Sequence, residues 1–379
     1  MQRSDVIDRV NADLQPGVEP GDARLEVAVE EANPWLLSFV ISNNRSPSVG
    51  AIHGEIFAGH RNVTGNADSL TARIGLTEGS NDGGLYYTLP IGAAGTELFA
   101  GADQSNSSVL QQPFASLDVD SELDTYRFGL RHPVLRTIND TATIGLALDL
   151  RSSLTKLLGR PFSFSEGVRD GRADVTVVRY SQSWLHQGLS QVIALRSTLS
   201  LGINAFGATI NEQGPDGEFF AWLGQFQWAR RTGNGHQFNL RSDLQLAANP
   251  LLPLEQCAIG GADTVRGYRV NQLVRDNCFV ASLEYRVPLF RLPLPKISQG
   301  PEDGTIRLAP FFDFGAAWNT DRQDFGPDTL PSLGVGLRWD PSPKVHANVY
   351  WGYAFQDFVV QGEDLQDDGI VFRVEVDVF

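Results

Sequence analysis

The sequence has no long apolar segment and few helix formers. No uninterrupted apolar run approaches the roughly 18 residues that a transmembrane helix needs. A membrane protein with this sequence is therefore a β-barrel, because only helices and closed barrels satisfy every backbone polar group in lipid. A single methionine stands beside 38 glycines, 20 prolines and 22 phenylalanines among 379 residues. This composition excludes a mainly helical protein.

Basic residues and enzyme motifs are scarce as well. The chain has 30 lysines and arginines against 45 aspartates and glutamates, which gives a net charge of −15. Such a charge argues against a nucleic acid as partner, because phosphates repel an acidic protein. The motifs GxSxG, HExxH, CxxC and GxxxxGK do not occur, and the six histidines are scattered. These absences predict a protein that is not an enzyme and uses no cofactor.

The first 31 residues differ in pattern from the rest. The start, MQRSDVIDRVNADL, lacks the basic segment and the apolar core of a signal peptide. Both a cytoplasmic protein and an N-terminally truncated exported protein are compatible with this start. Val6, Val10 and Leu14 recur every fourth residue. This spacing predicts a helix over Asp5 to Leu14 that ends at Pro16. A short alternating strand follows, with three apolar residues on one face: Leu25, Val27 and Val29.

From Trp35 to the last residue, apolar and polar residues alternate with period two. Many of the predicted strands are about 10 to 14 residues long, and a tilted membrane crossing takes about 9 to 11. We predict 16 strands, which begin near Trp35, Gly50, Ser69, Gly84, Thr96, Asp124, Thr141, Ala173, Gln191, Glu218, His236, Phe279, Thr305, Ser332, Val345 and Gly369.

The two faces of the strands differ sharply in polarity. In the last strand Phe372, Val374 and Val376 alternate with Arg373 and Glu375. Such dyads fit a barrel with an apolar outside and a polar lumen. A soluble sandwich would show the same alternation with its faces exchanged, so periodicity alone leaves both folds open.

Connection lengths favour the membrane barrel. They alternate between short and long, and one-sided long loops are the outer-membrane arrangement. One connection, Phe290 to Gly304, is long on the short side. If the first strand runs outward, four tryptophans fall near periplasmic strand ends on the apolar face, as in an aromatic girdle: Trp35, Trp184, Trp228 and Trp339. The long connections are Gln104 to Asp120, Leu157 to Arg172, Phe206 to Gly217, Gln256 to Asn277, Thr320 to Pro331 and Gln356 to Asp368.

Two motifs carry a resemblance to a known family. Gly260 to Tyr268 is GGADTVRGY, in a long connection, and Phe311 to Gly315 is FFDFG, on the thirteenth predicted strand. The pair resembles the signature motifs of the outer-membrane assembly and translocation superfamily, a loop with VRGY or VRGF and a strand with F-x-D-x-G. LQPGVEPGDARLEV at Leu14 to Val27 is similar to the end of a POTRA domain in the TpsB transporters of two-partner secretion, the ShlB/FhaC/HecB type. NVTGNADSL at Asn62 to Leu70 resembles the turn after their second strand.

The resemblance covers the whole chain and implies both a fold and a function. The implied fold is all-β, a 16-stranded antiparallel transmembrane β-barrel over residues 32–379 with the VRGY loop at 256–278. Residues 1–31 are expected to be the C-terminal fragment of a POTRA domain and a linker. The implied function is a pore in the bacterial outer membrane that translocates a large exoprotein, a haemolysin or adhesin, without ATP. A full member carries a signal peptide, a plug helix and further POTRA segments before the position of Met1.

Partners and alternative functions follow from the same resemblance. The implied partners are the unfolded secreted exoprotein, outer-membrane lipids and the barrel assembly machinery during biogenesis. Two other functions stay open. One is an outer-membrane insertase of the same superfamily, and the other is a passive porin that makes no special use of Arg266 or Asp313.

The resemblance also implies that the loop folds back into the barrel. A guanidinium in a lumen needs a carboxylate, and its planar fork suits bidentate pairing. Asp313 lies on the polar parity of its strand, so we predict a charge-assisted pair between Arg266 and Asp313. The alternative is that Arg266 is a solvated loop arginine. Val265 and Tyr268 complete the loop motif, and Phe311 and Gly315 complete the strand motif. Three glycines are expected to permit the tight path of the loop: Gly260, Gly261 and Gly267.

Further charged residues have inward parity on the last strands. We predict that they form a charged lumen around the docked loop, although each is also compatible with simple pore lining. They are Glu284, Arg286, Arg307, Arg338, Arg373, Glu375 and Asp377.

The two cysteines, Cys257 and Cys278, bracket the loop. A metal site needs more ligands, and no histidine lies between or close to them, so no metal is predicted. In the periplasm an even count at flanking positions predicts a disulfide. As facing residues of an antiparallel pair, their Cα atoms are expected about 4.5 to 5.5 Å apart.

Overall fold

A computed structural model of the chain describes residues 6–16, 22–112, 114–358 and 363–379. Regular structure in these residues consists of 21 β-strands and two short 3-10 turns. The strands form an N-terminal hairpin, a closed barrel and a small hairpin within one long loop. In the part of the chain that is described, no helix has the length and apolar character needed to span a membrane.

An N-terminal hairpin occupies the position of the predicted helix, so the prediction of a helix over Asp5 to Leu14 is wrong. β1 (Ile7–Pro16) pairs antiparallel with β2 (Ala23–Glu31). A spacing of four is even, so it places residues on one face of a strand as well as on one side of a helix. Pairing with the apolar row of β2 favours the strand, because Val10 lies opposite Val29 and Leu14 opposite Leu25. Residues 17–21 of the POTRA-like segment lie outside the described residues.

Sixteen antiparallel strands close the barrel, and the predicted fold class and strand count are confirmed. The first eight are β3 (Trp35–Ser42), β4 (His53–His60), β5 (Ser69–Leu76), β6 (Ser80–Ile91), β7 (Thr96–Ser108), β8 (Val119–Arg136), β9 (Asp140–Leu157) and β11 (Arg172–Gln187). The second eight are β12 (Gln191–Gly202), β13 (Phe220–Arg231), β14 (Gln237–Ala247), β17 (Asn277–Arg291), β18 (Thr305–Trp318), β19 (Thr329–Ser342), β20 (Val345–Ala354) and β21 (Ile370–Asp377). The two-residue β10 (Arg160–Pro161) extends the hairpin of β9.

The barrel closes between its first and last strands. β21 pairs with β3 from Arg373 opposite Ser42 to Asp377 opposite Ser38. Opposite residues share a face. Arg373 and Glu375 line the lumen cavity, and Val374 and Val376 are exposed on the outside. Outward residues elsewhere are large, apolar and exposed. Examples are Phe312, Leu337 and Val349. An exposed apolar belt of this kind requires lipid, and the barrel interpretation therefore prevails over the sandwich.

Long connections gather at one end of the barrel. The other end carries short turns such as residues 92–95, 137–139 and 343–344, together with the exceptional connection 292–304. Each of the four girdle tryptophans lies near this short-turn end on the outer face. The indole N–H of Trp339 donates to the carbonyl of Leu292 over 3.0 Å. This end is therefore the periplasmic end, by the arrangement of outer-membrane barrels.

The connection between β14 and β17, residues 248–276, folds into the lumen. We call it the lumen loop. Its two short strands, β15 (Cys257–Ile259) and β16 (Leu273–Arg275), pair with each other. Ile259, Val265 and Leu273 of the lumen loop are buried against the wall residues Val280 and Leu330. The barrel thus contains a hydrophobic core between the loop and its own wall.

Candidate functional site in the barrel lumen

The central part of the lumen loop, residues 260–272, turns sharply on residues in the left-handed region; we call it the tip. Gly260 has φ +113°, Gly261 +91° and Gly267 +92°. At Gly267 a Cβ atom would lie 3.0 Å from the backbone carbonyl carbon of Gly352 on β20. The loop backbone and the wall backbone therefore touch, and both positions need glycine.

Arg266 extends from the tip into a cage of acceptors on β17 and β18. Its Nε and Nη2 atoms donate to the two oxygens of Asp313 over 2.8 and 2.9 Å, and its backbone N–H donates to Oδ2 over 3.0 Å. Nη1 donates to Glu284 over 2.5 Å, and Nη2 also donates to Ser282 over 3.1 Å. The side chains of Arg266, Glu284 and Asp313 are 8, 8 and 1% exposed. The pair is bidentate, buried and saturated with hydrogen bonds, which is the strong form of this interaction.

Two aromatic rings enclose the same guanidinium. The Cζ atom of Arg266 lies 3.6 Å from the ring centre of Phe311 and 4.7 Å from that of Tyr350. Both distances are within cation–π range. Gly334 and Gly336 on β19 leave space for these rings, because a Cβ at either position would overlap an aromatic ring. The wall is therefore shaped around Arg266 by four neighbouring strands, β17 to β20.

The flanking motif residues attach the tip to the wall. Val265 is fully buried, and a Cβ added at Gly315 would lie 2.8 Å from its Cγ2 atom. The hydroxyl of Tyr268 donates to the carbonyl of Pro331 over 2.6 Å and accepts from the backbone N–H of Gln356 over 3.1 Å. Val265, Arg266, Gly267 and Tyr268 thus all contact the barrel wall.

The predicted lumen charges form two groups. Glu284, Arg286 and Arg338 lie around the Arg266 site, and Arg307, Arg373, Glu375 and Asp377 have partners elsewhere on the wall. Glu284 binds Arg266 directly and also accepts from Arg286 over 2.5 Å, and Arg338 donates to the hydroxyl of Tyr350 over 2.9 Å. Arg307 instead pairs with Asp340 over 2.5 Å. Arg373 pairs with Glu375 over 3.1 Å, and Asp377 accepts from Ser38 over 2.5 Å. A cavity of about 670 Å³ lies between the tip and the periplasmic end, and Arg286, Arg338, Arg373 and Glu375 line it.

Cys257 and Cys278 form a disulfide with their Cα atoms 6.1 Å apart. The prediction that the two cysteines face each other in an antiparallel strand pair is wrong. Cys257 lies opposite Arg275 in the small hairpin, and Cys278 lies opposite Gln245 and Ala317 in the barrel wall. The bond therefore ties the hairpin of the lumen loop to β17, because the hairpin packs over the wall instead of extending it.

A second ion-pair network escaped the sequence argument. Glu255 of the lumen loop accepts from Arg151 over 2.7 Å and from Arg179 over 2.9 Å. Arg179 also donates to Asp149, which is fully buried and held by Arg127 on its other side. Asp149, Arg151 and Arg179 have inward parity on β9 and β11, so the alternation of the sequence could have assigned them to the lumen. Nothing in the sequence marked Glu255 as their partner.

A third contact joins the tip to the loop between β20 and β21, residues 355–369. Arg269 donates to Asp367 over 2.7 Å, and the N–H of Val270 donates to the side-chain oxygen of Gln366 over 3.0 Å. Gln366 donates in turn to the carbonyl of Asn43 over 2.7 Å, beside the junction of β3 and β21. Within this neighbouring loop, residues 359–362 lie outside the described residues.

One cluster on β4 and β6 has the composition of a metal site. Ligand atoms of His53, Glu55 and Asp82 lie within 4.8 Å of one another. Arg45 and Arg73 already donate to Asp82 over 2.5 and 2.7 Å. Two guanidinium groups repel a cation at this position, so the cluster is an ion-pair network of the lumen wall.

An apolar outer belt, a charged lumen and a loop docked inside define an outer-membrane barrel of the assembly and translocation class. The chain belongs to the haemolysin secretion/activation protein family ShlB/FhaC/HecB, whose model matches residues 21–339. It is thus a bacterial outer-membrane transporter of two-partner secretion, which exports a partner protein. This membership favours secretion over the insertase and the passive porin.

Solved structures show the same fold. CdiB from Escherichia coli matches with a TM-score of 0.78 and 20% identity over 99% of this chain and 69% of that one. CdiB from Acinetobacter baumannii matches with a TM-score of 0.71 and 16% identity over 98 and 66% of the two chains. BamA from Haemophilus ducreyi lacking POTRA domains 1–3 matches with a TM-score of 0.66 and 15% identity over 99% of this chain and 76% of that one. No curated protein matches the sequence.

Proposed function

We propose that the partner exoprotein crosses the lumen unfolded and that the tip is the gate on its path. A barrel of 16 strands leaves an aqueous channel when its lumen is empty. Here the lumen loop occupies part of that channel, and the buried Arg266 site holds it there. Passage of a polypeptide therefore requires the tip to leave the wall. The observation that carries this proposal is the saturated bidentate pair between Arg266 and Asp313.

The transport step in this proposal uses no catalysis and no ATP. Folding of the exoprotein outside the cell supplies the direction. The charged residues around the cavity below the tip offer alternative partners for Arg266, Asp313 and Glu284 when the tip moves. Each ion pair of the docked state is then exchanged for another, so that no buried charge is left unpaired during the movement.

Residues 1–31 are, in this proposal, the end of a POTRA domain joined to the barrel. The support is the exposed apolar face of the N-terminal hairpin. Leu14 and Leu25 are 71 and 61% exposed, and Val27 and Val29 lie in the same row. Such a row needs a covering element, which the rest of a POTRA domain would supply.

Outer-membrane lipids are proposed to cover the apolar outer belt of the barrel. The barrel assembly machinery is proposed to insert the barrel into the membrane.

The test is secretion by an Arg266→Ala variant of the full-length reading frame in cells that make the partner exoprotein. We expect the exoprotein to disappear from the medium or to fall at least tenfold, while the barrel reaches the outer membrane in normal amount. Without Arg266 the tip can form neither the docked ion pair nor the alternative ion pairs that this proposal requires during the movement. Asp313→Ala should have the same effect, and the double variant should be no worse, because all three remove one contact.

The matched control is Arg131→Ala. Arg131 pairs with Glu97 across β7 and β8, away from the lumen loop, and we expect normal secretion from this variant. Normal secretion from an Arg266→Ala barrel of normal abundance would contradict the proposed gate.

A further inference from the structure

The outer face of the barrel carries a groove over strands β9 to β14, which we call the outer groove. Its volume is about 640 Å³, within the roughly 300 to 1,000 Å³ of small-molecule sites. Large apolar side chains on the outer face line it, namely Trp184, Leu195, Trp222, Phe226 and Leu244. The groove is continuous with the apolar belt that faces the membrane, so its occupant comes from the membrane.

A glycine and a tryptophan on β13 shape the outer groove. Gly224 lies opposite Ser197 of β12, so two small residues form the floor. A Cβ atom at Gly224 would lie 2.8 Å from two ring atoms of Trp222, and the missing side chain therefore lets this ring lie over the wall. The indole N–H of Trp222 donates to the hydroxyl of Ser197 over 2.9 Å, which fixes the ring there.

Gln182 places a side-chain amide in the outer groove. It is two residues from Trp184 on β11 and therefore shares the outer face with it. Its neighbours across the ladder are Ile144 and Ser197. Among the described residues the side-chain amide of Gln182 has no hydrogen-bond partner. An amide that faces hydrocarbon without a partner is unfavourable, so the groove favours an occupant that brings a hydrogen-bond acceptor.

The depth of Gln182 in the membrane indicates which acceptor this is. Trp184 belongs to the girdle near the periplasmic end, and girdle tryptophans lie at the level of the lipid headgroups. Two residues of a tilted strand span about 5 Å along the membrane normal. Gln182 therefore lies just inside the headgroup level, where the ester carbonyls of lipids are found. The groove continues from there to Trp222, which lies nearer the long-loop end of its strand.

We propose that the outer groove is a specific binding site for a glycerophospholipid of the periplasmic leaflet. One acyl chain fills the groove between Trp184 and Trp222, and the amide of Gln182 donates a hydrogen bond to the ester carbonyl of that chain. The ester linkage and the chain define the ligand, whichever headgroup it carries. The site lies on the opposite side of the wall from the lumen loop, so it is independent of the proposed gate.

The test is native mass spectrometry of the full-length protein released from detergent micelles that contain added lipid. The two probes are dipalmitoyl phosphatidylethanolamine, which has ester carbonyls, and its dihexadecyl ether analogue, which has none. We expect the wild type to retain the ester lipid about fivefold more than the ether lipid, as one neutral hydrogen bond would give. Gln182→Leu should retain the two lipids equally, because it removes the donor and keeps the size of the side chain.

A second variant, Ser242→Phe, fills the outer groove from β14, where Ser242 lies opposite Phe226. We expect it to retain neither lipid. Two matched controls make the same kinds of change elsewhere on the outer face, Gln104→Leu on β7 and Ala72→Phe on β5. Both positions share that face with the exposed Leu85, and both controls should retain the lipids as the wild type does.

Equal retention of ester and ether lipid by the wild type would overturn the hydrogen bond from Gln182 and with it the proposed ligand. Equal retention of the ester lipid by the wild type and Ser242→Phe would show that the outer groove is not the site. Heat-modifiable migration in gels establishes that each variant is folded. Neither result bears on the proposed gate, which is tested by secretion.

Discussion

One partner of Arg266 was predictable from the sequence and another was not. Its motif and the parity of Asp313 linked the two residues across 47 positions, and the structure has their side chains in contact. Their part in transport stays a prediction. The direct bond from Arg266 to Glu284 was not foreseen, because parity assigns a residue to the lumen without giving its height or its partner.

Asp68 shows how a buried turn carboxylate depends on pH. Burial alone would raise the pKa of its carboxyl group. Hydrogen bonds from the backbone N–H of Thr64 and from the hydroxyls of Tyr87 and Thr64 lower that pKa below its ordinary value. A lowered folded-state pKa stabilises the fold above the unfolded-state pKa, and this stabilisation is lost as the pH falls through the folded-state pKa.

We therefore predict that the stability difference between wild type and Asp68→Asn is largest near neutral pH. It should shrink as the pH falls below about 3.9, the ordinary Asp value, because the wild-type carboxylate becomes protonated. Thermal unfolding of both proteins in detergent at several pH values measures the difference. A difference that stays constant with pH would contradict this account of the turn.

At the scale of elements, the strands were predictable and the N-terminal segment was not. A strand that separates lipid from lumen must alternate, so its period of two survives in the sequence. Boundaries were less accurate at the long-loop end. The strand expected near Asp124 begins at Val119, because β8 and β9 continue to pair there and Lys156 bonds Glu122. The hairpin β1–β2 was missed because a spacing of four does not separate helix from strand.

Glycine on β20 sets how closely the tip approaches the wall. A Cβ atom at Gly352 would lie 2.8 Å from the backbone nitrogen of Gly267 and 3.0 Å from the carbonyl carbon of Arg266. These are backbone atoms that cannot rotate away. We predict that Gly352→Ala displaces the tip and costs about 1 to 3 kcal/mol of stability, the usual range for overpacking.

Heat-modifiable migration of the folded barrel in gels measures the stability change. Gly54→Ala is the matched control, since nothing lies within 4 Å of a Cβ at Gly54 on β4. Equal unfolding temperatures for Gly352→Ala and Gly54→Ala would show that the tip backbone does not rest on β20.

For the whole molecule, the lumen interior was the least predictable part. Glu255 and Arg179 are 76 positions apart, and Leu251 packs on Val177 from a loop without any periodicity. Such contacts arise only when the closed barrel brings a loop against a distant wall. The barrel itself follows from local patterning, whereas the docked loop depends on the packing of the complete fold.

The central claim is that the tip must leave the wall for the exoprotein to pass. A disulfide between Val265→Cys and Gly315→Cys tests it most directly, because a Cβ at Gly315 points at the side chain of Val265. Wild type and each single cysteine variant, with and without reductant, are the controls. We predict that the oxidised double variant exports no exoprotein at normal barrel abundance and that reductant restores export. Normal export from a fully crosslinked barrel would contradict the account.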